Sequence, residues 1–292
     1  MSEKYKKLRE EALMHGPLEA LFCCIGDPVI GNPTQIMMED AFEDLNFPAR
    51  YFTSTVTGDR VKEAIEGIKA LGLAGANVTA PHKVAVIPYL DGLTESARLS
   101  GAVNCIIRDG EKLIGDNTDG KGFLTSIELV KRVEGMEVLV LGSGGAARAI
   151  ITELALHKAA TITIANRTLS KAQEIVKALE KEVSTKLTAV ELTNKFVIEE
   201  QWDLVVQATS VGLFAPADSL DLVWQKGKRI AADVVFNPIE TQFLKAAKAS
   251  GAHCIDGLGM LVYQGAIAIQ QWSGQAANFE IMKRSLERAF SI

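Results

Sequence analysis

Short hydrophobic runs alternate with stretches of helical periodicity along most of the chain. The runs at Ala20–Gly26 (ALFCCIG) and Glu137–Leu141 (EVLVL) have the length and composition of buried strands. Residues 61–71 instead place a hydrophobic side chain at every third or fourth position, which is the spacing of one helix face. Strands that alternate with helices are typical of βαβ units, so the pattern predicts an α/β protein built on parallel sheets.

The same patterns predict the remaining elements. We expect further strands at 49–52, 74–78, 103–107, 112–114, 161–165, 186–191, 203–208, 229–235 and 253–255, and helices at about 36–45, 61–71, 121–132, 147–157, 170–180 and 241–249. Another helix is expected to open at Pro81, and the tail from Met260 is predicted to form two helices. A length of 292 residues favours two domains, and both the first 118 residues and the following segment have the α/β alternation.

Composition and charge exclude several classes of protein. Hydrophobic residues make up 48% of the chain and charged residues 23%, which is typical of a globular protein and not of a disordered one. The net charge of −5 offers no basic surface for nucleic acid. The apolar runs are too short to span a membrane.

Cysteine usage and the N-terminus favour a cytoplasmic protein. Four cysteines (Cys23, Cys24, Cys105 and Cys254) occur without a C-x-x-C spacing, so we expect reduced thiols and no metal site. The first residues are charged and helical in pattern, and they lack the apolar core of a secretory leader.

A glycine-rich turn follows the strand at 137–141. The spacing Gly142-x-Gly144-x-x-Ala147 lies between a predicted strand and a predicted helix, which is the context of a dinucleotide-binding turn. The first glycine permits the turn, and the second lets a pyrophosphate approach the backbone at the helix start. A tight turn without a ligand is the simpler alternative. We predict that the turn holds a nucleotide.

The end of the next strand favours NADP over NAD. An NAD site places a carboxylate there for the ribose hydroxyls, whereas this chain has Asn166, Arg167 and Thr168, with Lys171 one turn later. Arg167 and Lys171 carry the charge that a 2′-phosphate needs. Thr168 could equally cap the following helix, and capping is compatible with phosphate binding.

Two polar clusters precede the glycine turn. Residues 77–83 (NVTAPHK) follow a predicted strand, and residues 115–120 (GDNTDG) precede a predicted helix. A lysine and a carboxylate that meet in a cleft can share the proton of a reacting hydroxyl, which makes Lys83 and Asp119 candidates. A solvated lysine and a helix-capping aspartate are the alternatives.

At this point the sequence resembles the shikimate dehydrogenase family, including its quinate/shikimate branch. The resemblance covers nearly the whole chain after residue 19. Seven motifs carry it, namely NVTAPHK (77–83), GAVNC (101–105), GDNTDG (115–120), GSGGA (142–146), NRT (166–168), ATSVG (208–212) and DGLGMLVYQG (256–265).

The resemblance implies an organisation and an activity. It implies a substrate-binding domain at 1–118 completed by 257–292, and a Rossmann NADP-binding domain at 119–256. It implies reversible hydride transfer between shikimate, or a closely related cyclic hydroxy acid, and NADP in the shikimate pathway to chorismate and the aromatic amino acids. NAD is the less favoured cofactor.

The resemblance also implies a role for individual residues. Lys83 and Asp119 match the catalytic pair. Residues that match holders of substrate hydroxyls are Thr79, Asn104 and Gln264. Residues that match the cofactor site are Gly142, Ser143, Gly144, Gly145, Ala146, Asn166, Arg167, Thr168, Lys171, Thr209, Gly257 and Met260.

The chain departs from the family where the substrate carboxylate binds. Relatives usually carry a His-Ser-x-Ser-Pro run in the first loop, whereas this chain has Asn32 and Thr34 at the two serine positions. A tyrosine usual after the late strand is Phe236, which has no hydroxyl. Loss of such hydrogen bonds shifts discrimination strongly, so we expect an altered carboxylate end and weak activity on shikimate itself.

Several alternatives stay open from the sequence. A quinate dehydrogenase or a dehydrogenase of an amino-substituted ring is the nearest. A sensor that binds a nucleotide and a ring acid without catalysis has no need of a Lys83–Asp119 pair. A methylenetetrahydrofolate-type dehydrogenase does not account for residues 77–83. The expected partner is a small cyclic hydroxy acid, with no nucleic acid and no membrane, and a homodimer is left open.

Overall fold

The computed structural model describes residues 19–291, together with residues 3, 6, 7 and 10. A charged helix was predicted at the N-terminus, but most of its residues lie outside the described part. The described chain forms fourteen strands: β1 (Ala20–Gly26), β2 (Ala49–Thr55), β3 (Gly75–Val78), β4 (Gly92–Leu93), β5 (Cys105–Asp109), β6 (Lys112–Asp116), β7 (Glu137–Leu141), β8 (Thr161–Asn166), β9 (Lys186–Glu191), β10 (Phe196–Ile198), β11 (Leu204–Gln207), β12 (Leu222–Trp224), β13 (Ile230–Asp233) and β14 (His253–Ile255).

Nine α-helices from residue 34 onward accompany these strands: α1 (Thr34–Asp44), α2 (Val61–Ala70), α3 (Glu95–Ser100), α4 (Thr118–Glu128), α5 (Gly145–Leu156), α6 (Leu169–Leu179), α7 (Gln242–Ser250), α8 (Gly257–Ser273) and α9 (Phe279–Phe290). The chain divides into two compact units, one of residues 1–118 and 264–292 and one of residues 119–263. Residues 257–263 were predicted to belong to the substrate-binding domain, whereas they fall in the second of these two units.

The first unit contains a mixed six-stranded sheet in the order β2-β1-β3-β5-β6-β4. β1 runs parallel to both β2 and β3, while β5 runs antiparallel to β3 and to β6. Helix α2 buries Val61, Ile65 and Ile68 in a core cluster with strand residues, as their spacing predicts. The fourth residue of the predicted stripe, Leu71, follows the end of the helix and is 76% exposed, so its assignment to the buried face was wrong. Parallel pairing thus joins β2, β1 and β3 and also β4 and β6, whereas β5 is antiparallel to both of its neighbours.

The second unit contains a parallel six-stranded sheet in the order β14-β13-β11-β7-β8-β9. Its order reverses between β7 and β11, as in Rossmann folds. Helix α5 follows β7, and helix α6 follows β8. This is the predicted α/β nucleotide-binding architecture.

The helix predicted from Pro81 does not form. Residues 80–86 are turns, followed by one 3-10 turn at Ile87–Tyr89. The Lys83 carbonyl accepts a hydrogen bond from the Val103 amide (2.8 Å), and the Ile87 amide bonds to the Val84 carbonyl (3.2 Å). The α-helical bond between residues 87 and 83 is thus replaced, and Lys83 lies in a turn.

Other boundaries differ where local signals are weak. The helix expected at 121–132 is α4, which begins three residues earlier because Thr118 is held by Asn104. Helix α3 was outside the prediction, although Thr94 caps it and Gly101 ends it in the left-handed conformation (φ 64°). Within the described residues, no helix has the length and hydrophobicity that crossing a membrane requires.

Candidate active site

The first loop of the site is fixed by an asparagine. Thr34, the first residue of α1, is 7% exposed, and its amide donates a hydrogen bond to Asn32 Oδ1 (2.9 Å). Asn32 Nδ2 lies 3.9 Å from Cys24 Sγ on β1. The two residues predicted for the carboxylate end are therefore neighbours, and the Asn32 amide is held from both of its polar atoms.

The turn after β3 presents Thr79 and Lys83. The Thr79 amide donates to the Ile25 carbonyl (2.9 Å), which ties the turn to the end of β1. Both side chains are partly exposed. The Lys83 ammonium is close enough to Cys24 to act on its pKa: burial raises the pKa of Cys24 to about 11, against which a Tyr51 hydrogen bond and the Lys83 charge act. Thus Lys83 and Asn32 lie near the same thiol.

A buried polar network joins Asn104, Thr118 and Gln264. Asn104 Nδ2 donates to Thr118 Oγ1 (2.9 Å) and approaches Gln264 Oε1 (3.4 Å). The Thr118 amide donates to Asn104 Oδ1 (2.6 Å). All three are at most 7% exposed. The two residues predicted to hold substrate hydroxyls, Asn104 and Gln264, are thus brought together from distant parts of the chain.

Asp119 follows this network directly in the chain. It is the second residue of α4 and is 8% exposed. Asp119 begins the second unit, whereas Lys83 belongs to the first. The pairing of the two side chains stays a prediction.

The glycine turn has the form that a pyrophosphate requires. Gly142 has φ 113°, and a Cβ there would lie 2.8 Å from the Ala208 carbonyl oxygen, so only glycine fits. A Cβ on Gly144 or Gly145 would meet nothing within 4 Å, which leaves open space. Helix α5 begins at Gly145 without a side-chain cap, so its first amides face that space. Ser143 and Ala146 complete the turn.

The residues predicted to select NADP follow β8. Asn166 Nδ2 donates to the Thr168 carbonyl (2.9 Å), which shapes the turn before α6. Thr168 precedes α6 and makes no side-chain cap, so its hydroxyl is not engaged in capping. Arg167 and Lys171 are exposed. Their placement fits the binding of a phosphate from solvent.

Thr209 follows β11 in a compact turn. Its amide and its hydroxyl both donate to Gln207 Oε1 (2.5 and 2.7 Å), so two hydrogen bonds hold the turn. A Cβ on Gly257 would lie 2.5 Å from the Val234 carbonyl oxygen, which requires glycine at the start of α8. Met260, one turn later on α8, is 9% exposed.

Phe236 stands in an aromatic pair. Its ring meets that of Phe214 edge to face, with centroids 6.1 Å apart. The Phe214 amide donates to the Asn237 carbonyl (2.9 Å), so the two loops are tied together. Phe214 is 63% exposed and has φ 55°. The pair gives this part of the second unit an apolar surface, at the position where the family resemblance implies a tyrosine.

Sequence reasoning missed several buried residues around the predicted site. The Tyr51 hydroxyl on β2 donates to Asn77 Oδ1 (2.7 Å), and Asn77 Nδ2 donates to the Asn104 carbonyl (3.1 Å). The signal that could have identified them is the presence of polar residues inside otherwise hydrophobic strands.

In the part of the chain that the structure describes, no group of His, Cys, Asp and Glu side chains could hold a metal ion.

Three family models match the chain in order. Residues 24–106 match the shikimate dehydrogenase substrate binding domain, residues 126–215 match shikimate / quinate 5-dehydrogenase, and residues 257–287 match the shikimate 5'-dehydrogenase C-terminal domain. Among curated relatives, the shikimate dehydrogenase (NADP(+)) of Geobacillus kaustophilus is 40% identical, over 91% of this chain and 97% of the relative. That of Bacillus subtilis is 36% identical, over 91% and 96%.

Solved structures of several activities share the fold. A ligand-free 5-ketofructose reductase of Gluconobacter sp. strain CHM43 is 41% identical, with a TM-score of 0.89 over 94% of this chain and 100% of that one. Thermus thermophilus shikimate 5-dehydrogenase in complex with NADP(H) and shikimate is 30% identical (TM-score 0.82, 92% and 99% covered). Quinate dehydrogenase from Corynebacterium glutamicum in complex with NAD is 27% identical (TM-score 0.81, 92% and 99% covered).

The matches span the substrate-binding part, the nucleotide-binding part and the C-terminal helices. They include enzymes solved with either nicotinamide cofactor. The chain therefore belongs to the shikimate dehydrogenase family and is an NAD(P)-dependent oxidoreductase of that kind.

Proposed function

We propose that the protein interconverts a secondary alcohol of a polyhydroxylated compound and its ketone with NADP(H). The observation that carries the proposal is the buried contact between Asn104 and Gln264, both predicted to bind substrate hydroxyls. Amides that are buried together and already oriented suit a ligand with several hydroxyl groups. A bound nicotinamide supplies or accepts the hydride.

Lys83 and Asp119 manage the proton of the reacting hydroxyl in this proposal. An ammonium can donate a proton to the oxygen that develops charge or stabilise that charge, and a carboxylate can take part in the same proton transfer. The position of Lys83 in a turn that is tied to Val103 and Thr79 keeps its backbone fixed. Its replacement by Ala is expected to lower turnover about 10²–10⁴-fold.

NADP is the preferred cofactor in the proposal. The exposed Arg167 and Lys171 offer two positive charges at the end of β8, where NAD sites place a carboxylate. The first amides of α5 bind the pyrophosphate.

The reduced thiols of all four cysteines support a cytoplasmic setting.

Shikimate, or a closely related cyclic hydroxy acid, is the first candidate substrate. The curated relatives carry that activity in their names, and by the family resemblance Thr79, Asn104 and Gln264 match the residues that hold substrate hydroxyls. Quinate and amino-substituted rings belong to the same class.

A neutral keto-sugar is the second candidate, and the carboxylate end favours it. By the family resemblance, Asn32 and Phe236 stand where relatives have hydroxyl groups, while Thr34 keeps a hydroxyl on a bulkier side chain, and Phe236 is paired with the exposed Phe214. A substrate without a carboxylate has no need of those hydroxyls. The likeness to a 5-ketofructose reductase supports this candidate.

A substrate panel separates the candidates. The purified chain is mixed with NADPH or NADH and with 3-dehydroshikimate, 3-dehydroquinate or 5-ketofructose, and nucleotide oxidation is followed by absorbance. Faster turnover of the keto-sugar selects the neutral substrate, and faster turnover of a ring acid selects the family substrate. Turnover of none, or full turnover by Lys83→Ala, contradicts the proposed function. Lys112→Ala, which removes an exposed lysine at the start of β6, is the matched control.

A further inference from the structure

A fully buried carboxylate at the end of β6 accepts hydrogen bonds at both of its oxygens. The Thr94 hydroxyl donates to Asp116 Oδ1, and Gln271 Nε2 on α8 donates to Asp116 Oδ2 (2.6 Å). Hydrogen bonds to a charged group are stronger than neutral ones, and a buried charge that loses a donor is costly. The position of the Gln271 amide is therefore strongly specified.

The same amide bridges two neighbouring strands. Gln271 Oε1 accepts a hydrogen bond from the Cys105 thiol (3.6 Å). Cys105 on β5 is directly opposite Asp116 on β6, so the two side chains lie on one face of the sheet. Both polar atoms of the Gln271 side chain are thus engaged, one residue away from Asn104 at the start of β5.

Gln264 and Gln271 lie on the same face of α8. They are seven residues apart, which is two helical turns or about 10.5 Å along the axis. The Gln264 amide meets Asn104 (3.4 Å), and the Gln271 amide meets Asp116. A rotation of the helix that displaces one glutamine therefore displaces the other. All four residues belong to one compact unit.

The helix contacts beside Gln264 are apolar and adaptable. A Cβ on Gly265 would lie 2.5 Å from Met37 Cε and 3.1 Å from Met282 Cε, so the helix backbone packs directly on methionine side chains. Methionine adjusts its shape to a neighbour, whereas a hydrogen bond requires a defined direction. The contacts of Gln271 therefore restrict the rotation of α8 more than those of Gly265 do.

We propose that Gln271 and Asp116 are positioning residues, whose hydrogen bond sets the rotation of α8 and thereby the approach of Gln264 to Asn104. They act on a substrate only through Gln264. The consequence for substrate affinity rests on the proposed function, whereas the coupling between the two ends of the helix does not.

NMR tests the coupling without a substrate. In ¹⁵N-labelled protein, the side-chain amide signals of Gln264 are identified by their loss in Gln264→Met. Gln271→Met keeps the length of the side chain but removes its amide, and it is expected to shift those signals from two turns away. Gln270→Met makes the same change at the adjacent, exposed glutamine and should leave them in place. Unshifted signals in Gln271→Met overturn the proposal and assign the helix position to the bond from the Trp272 indole to the Ile106 carbonyl (3.0 Å).

Kinetics test the effect on the substrate. With the panel compound that the wild-type protein reduces fastest, Gln271→Met is expected to raise KM about two- to tenfold, with kcat and the KM for the nucleotide unchanged. A variant that is only less stable loses active protein and therefore apparent kcat, while its KM stays at the wild-type value. Equal effects of Gln270→Met and Gln271→Met on KM overturn the positioning role.

An exchange of the two partners provides a rescue. Gln271→Glu places a second carboxylate beside Asp116 and is expected to raise KM at least as much as Gln271→Met. Adding Asp116→Asn restores one amide donor and one carboxylate acceptor, and Thr94 keeps an acceptor, so KM should return toward the wild-type value. Effects of the two substitutions that simply add overturn the proposal.

The measurements also separate this proposal from the proposed function. A wild-type protein that turns over no panel compound contradicts the proposed function alone. The Gln264 signals then still decide on the positioning residues. They are expected to shift in Gln271→Glu and to return toward their wild-type positions in the double variant with Asp116→Asn, and signals that do not return overturn the proposal.

Discussion

Asn104 and Thr118 exchange hydrogen bonds in both directions. The Asn104 amide donates to the Thr118 hydroxyl, and the Thr118 backbone amide donates to Asn104 Oδ1 (2.9 and 2.6 Å). Thr118 opens α4 and precedes Asp119. One buried side chain at the start of β5 therefore fixes the beginning of the helix that carries a predicted catalytic carboxylate.

Replacement of Asn104 is expected to affect stability and substrate binding separately. Asn104→Ala leaves the buried Thr118 amide without its side-chain acceptor, which lowers the free energy of unfolding by about 1–3 kcal/mol. Asn104→Asp restores that acceptor but not the donors toward Thr118 and Gln264. Asn104→Asp should therefore recover part of the stability that Asn104→Ala loses. Its KM for the reacting substrate should stay above the wild-type value, because the donors are still missing. Urea unfolding and steady-state kinetics measure the two effects, and wild-type stability of Asn104→Ala would contradict the role of the bond.

Cofactor preference is expected to depend on Arg167 and Lys171. Charge-assisted hydrogen bonds to a phosphate contribute about 1.5–3 kcal/mol, so Ala at either position should raise KM for NADP+ about tenfold or more. KM for NAD+ should change little, because that nucleotide has no 2′-phosphate. Lys177→Ala, in the last turn of the same helix α6, is the control. Equal losses with both nucleotides would show that the two cations do not read the phosphate.

Asp233 is expected to make stability fall as pH rises through the acidic range. Burial raises its pKa to about 6 from an ordinary 3.8, although Thr241 and the Val235 amide donate to it. The folded protein therefore holds this proton more tightly than the unfolded chain does. The contribution of Asp233 to the free energy of unfolding falls between about pH 4 and about pH 6.

Two substitutions test this assignment. Asp233→Asn should remove that part of the pH dependence, so its stability relative to wild type increases across the interval. Thr241→Val removes a hydroxyl that favours the carboxylate, and it should shift the fall to higher pH while also costing about 1 kcal/mol for the lost helix cap. Denaturant unfolding at several pH values measures both. If the free energies of unfolding of Asp233→Asn and wild type changed with pH in the same way, the prediction would be contradicted.

Thiol reactivity should distinguish Cys254 from the other three cysteines. Cys254 is partly exposed, whereas Cys23, Cys24 and Cys105 are buried. Burial raises the pKa of Cys23 to about 12 and that of Cys24 to about 11, and the thiolate is the reactive form. A thiol reagent should modify one group in the native protein and all four after unfolding. Cys254→Ser should abolish the native reaction, and a remaining fast thiol would argue against the burial of one of the other three cysteines.

Local signals in the sequence were sufficient for the nucleotide-binding part. The run EVLVL predicts β7, and the glycine turn leads directly into α5, which begins at Gly145, two residues before its predicted start. Strand, turn and helix start are contiguous in the chain, so local signals were enough. β1 and β14 have their predicted bounds as well. Family membership and the α/β class are confirmed by the matches along the chain.

Non-local contacts explain what the sequence did not predict. The missing helix after Pro81 depends on the bond between Lys83 and Val103, and no local pattern encodes that partner. The neighbours of Cys24 depend on strand register, which pairs Cys24 with Thr53 on one side and with Asn77 on the other. The grouping of Asn104 with Gln264 came from the family resemblance and not from spacing.

The antiparallel pairing of β5 with β3 has a consequence for how substrate preference can change. Asn77 is opposite Cys105, and the Val78 amide bonds to the Asn104 carbonyl (2.8 Å), so the end of one strand meets the beginning of the next. Thr79 and Asn104 therefore lie near the same end of these two neighbouring strands, although a long connection separates them in the chain. Lys83 lies within that connection, so a change inside it can alter the surroundings of Lys83 while Thr79 and Asn104 stay anchored at its two ends.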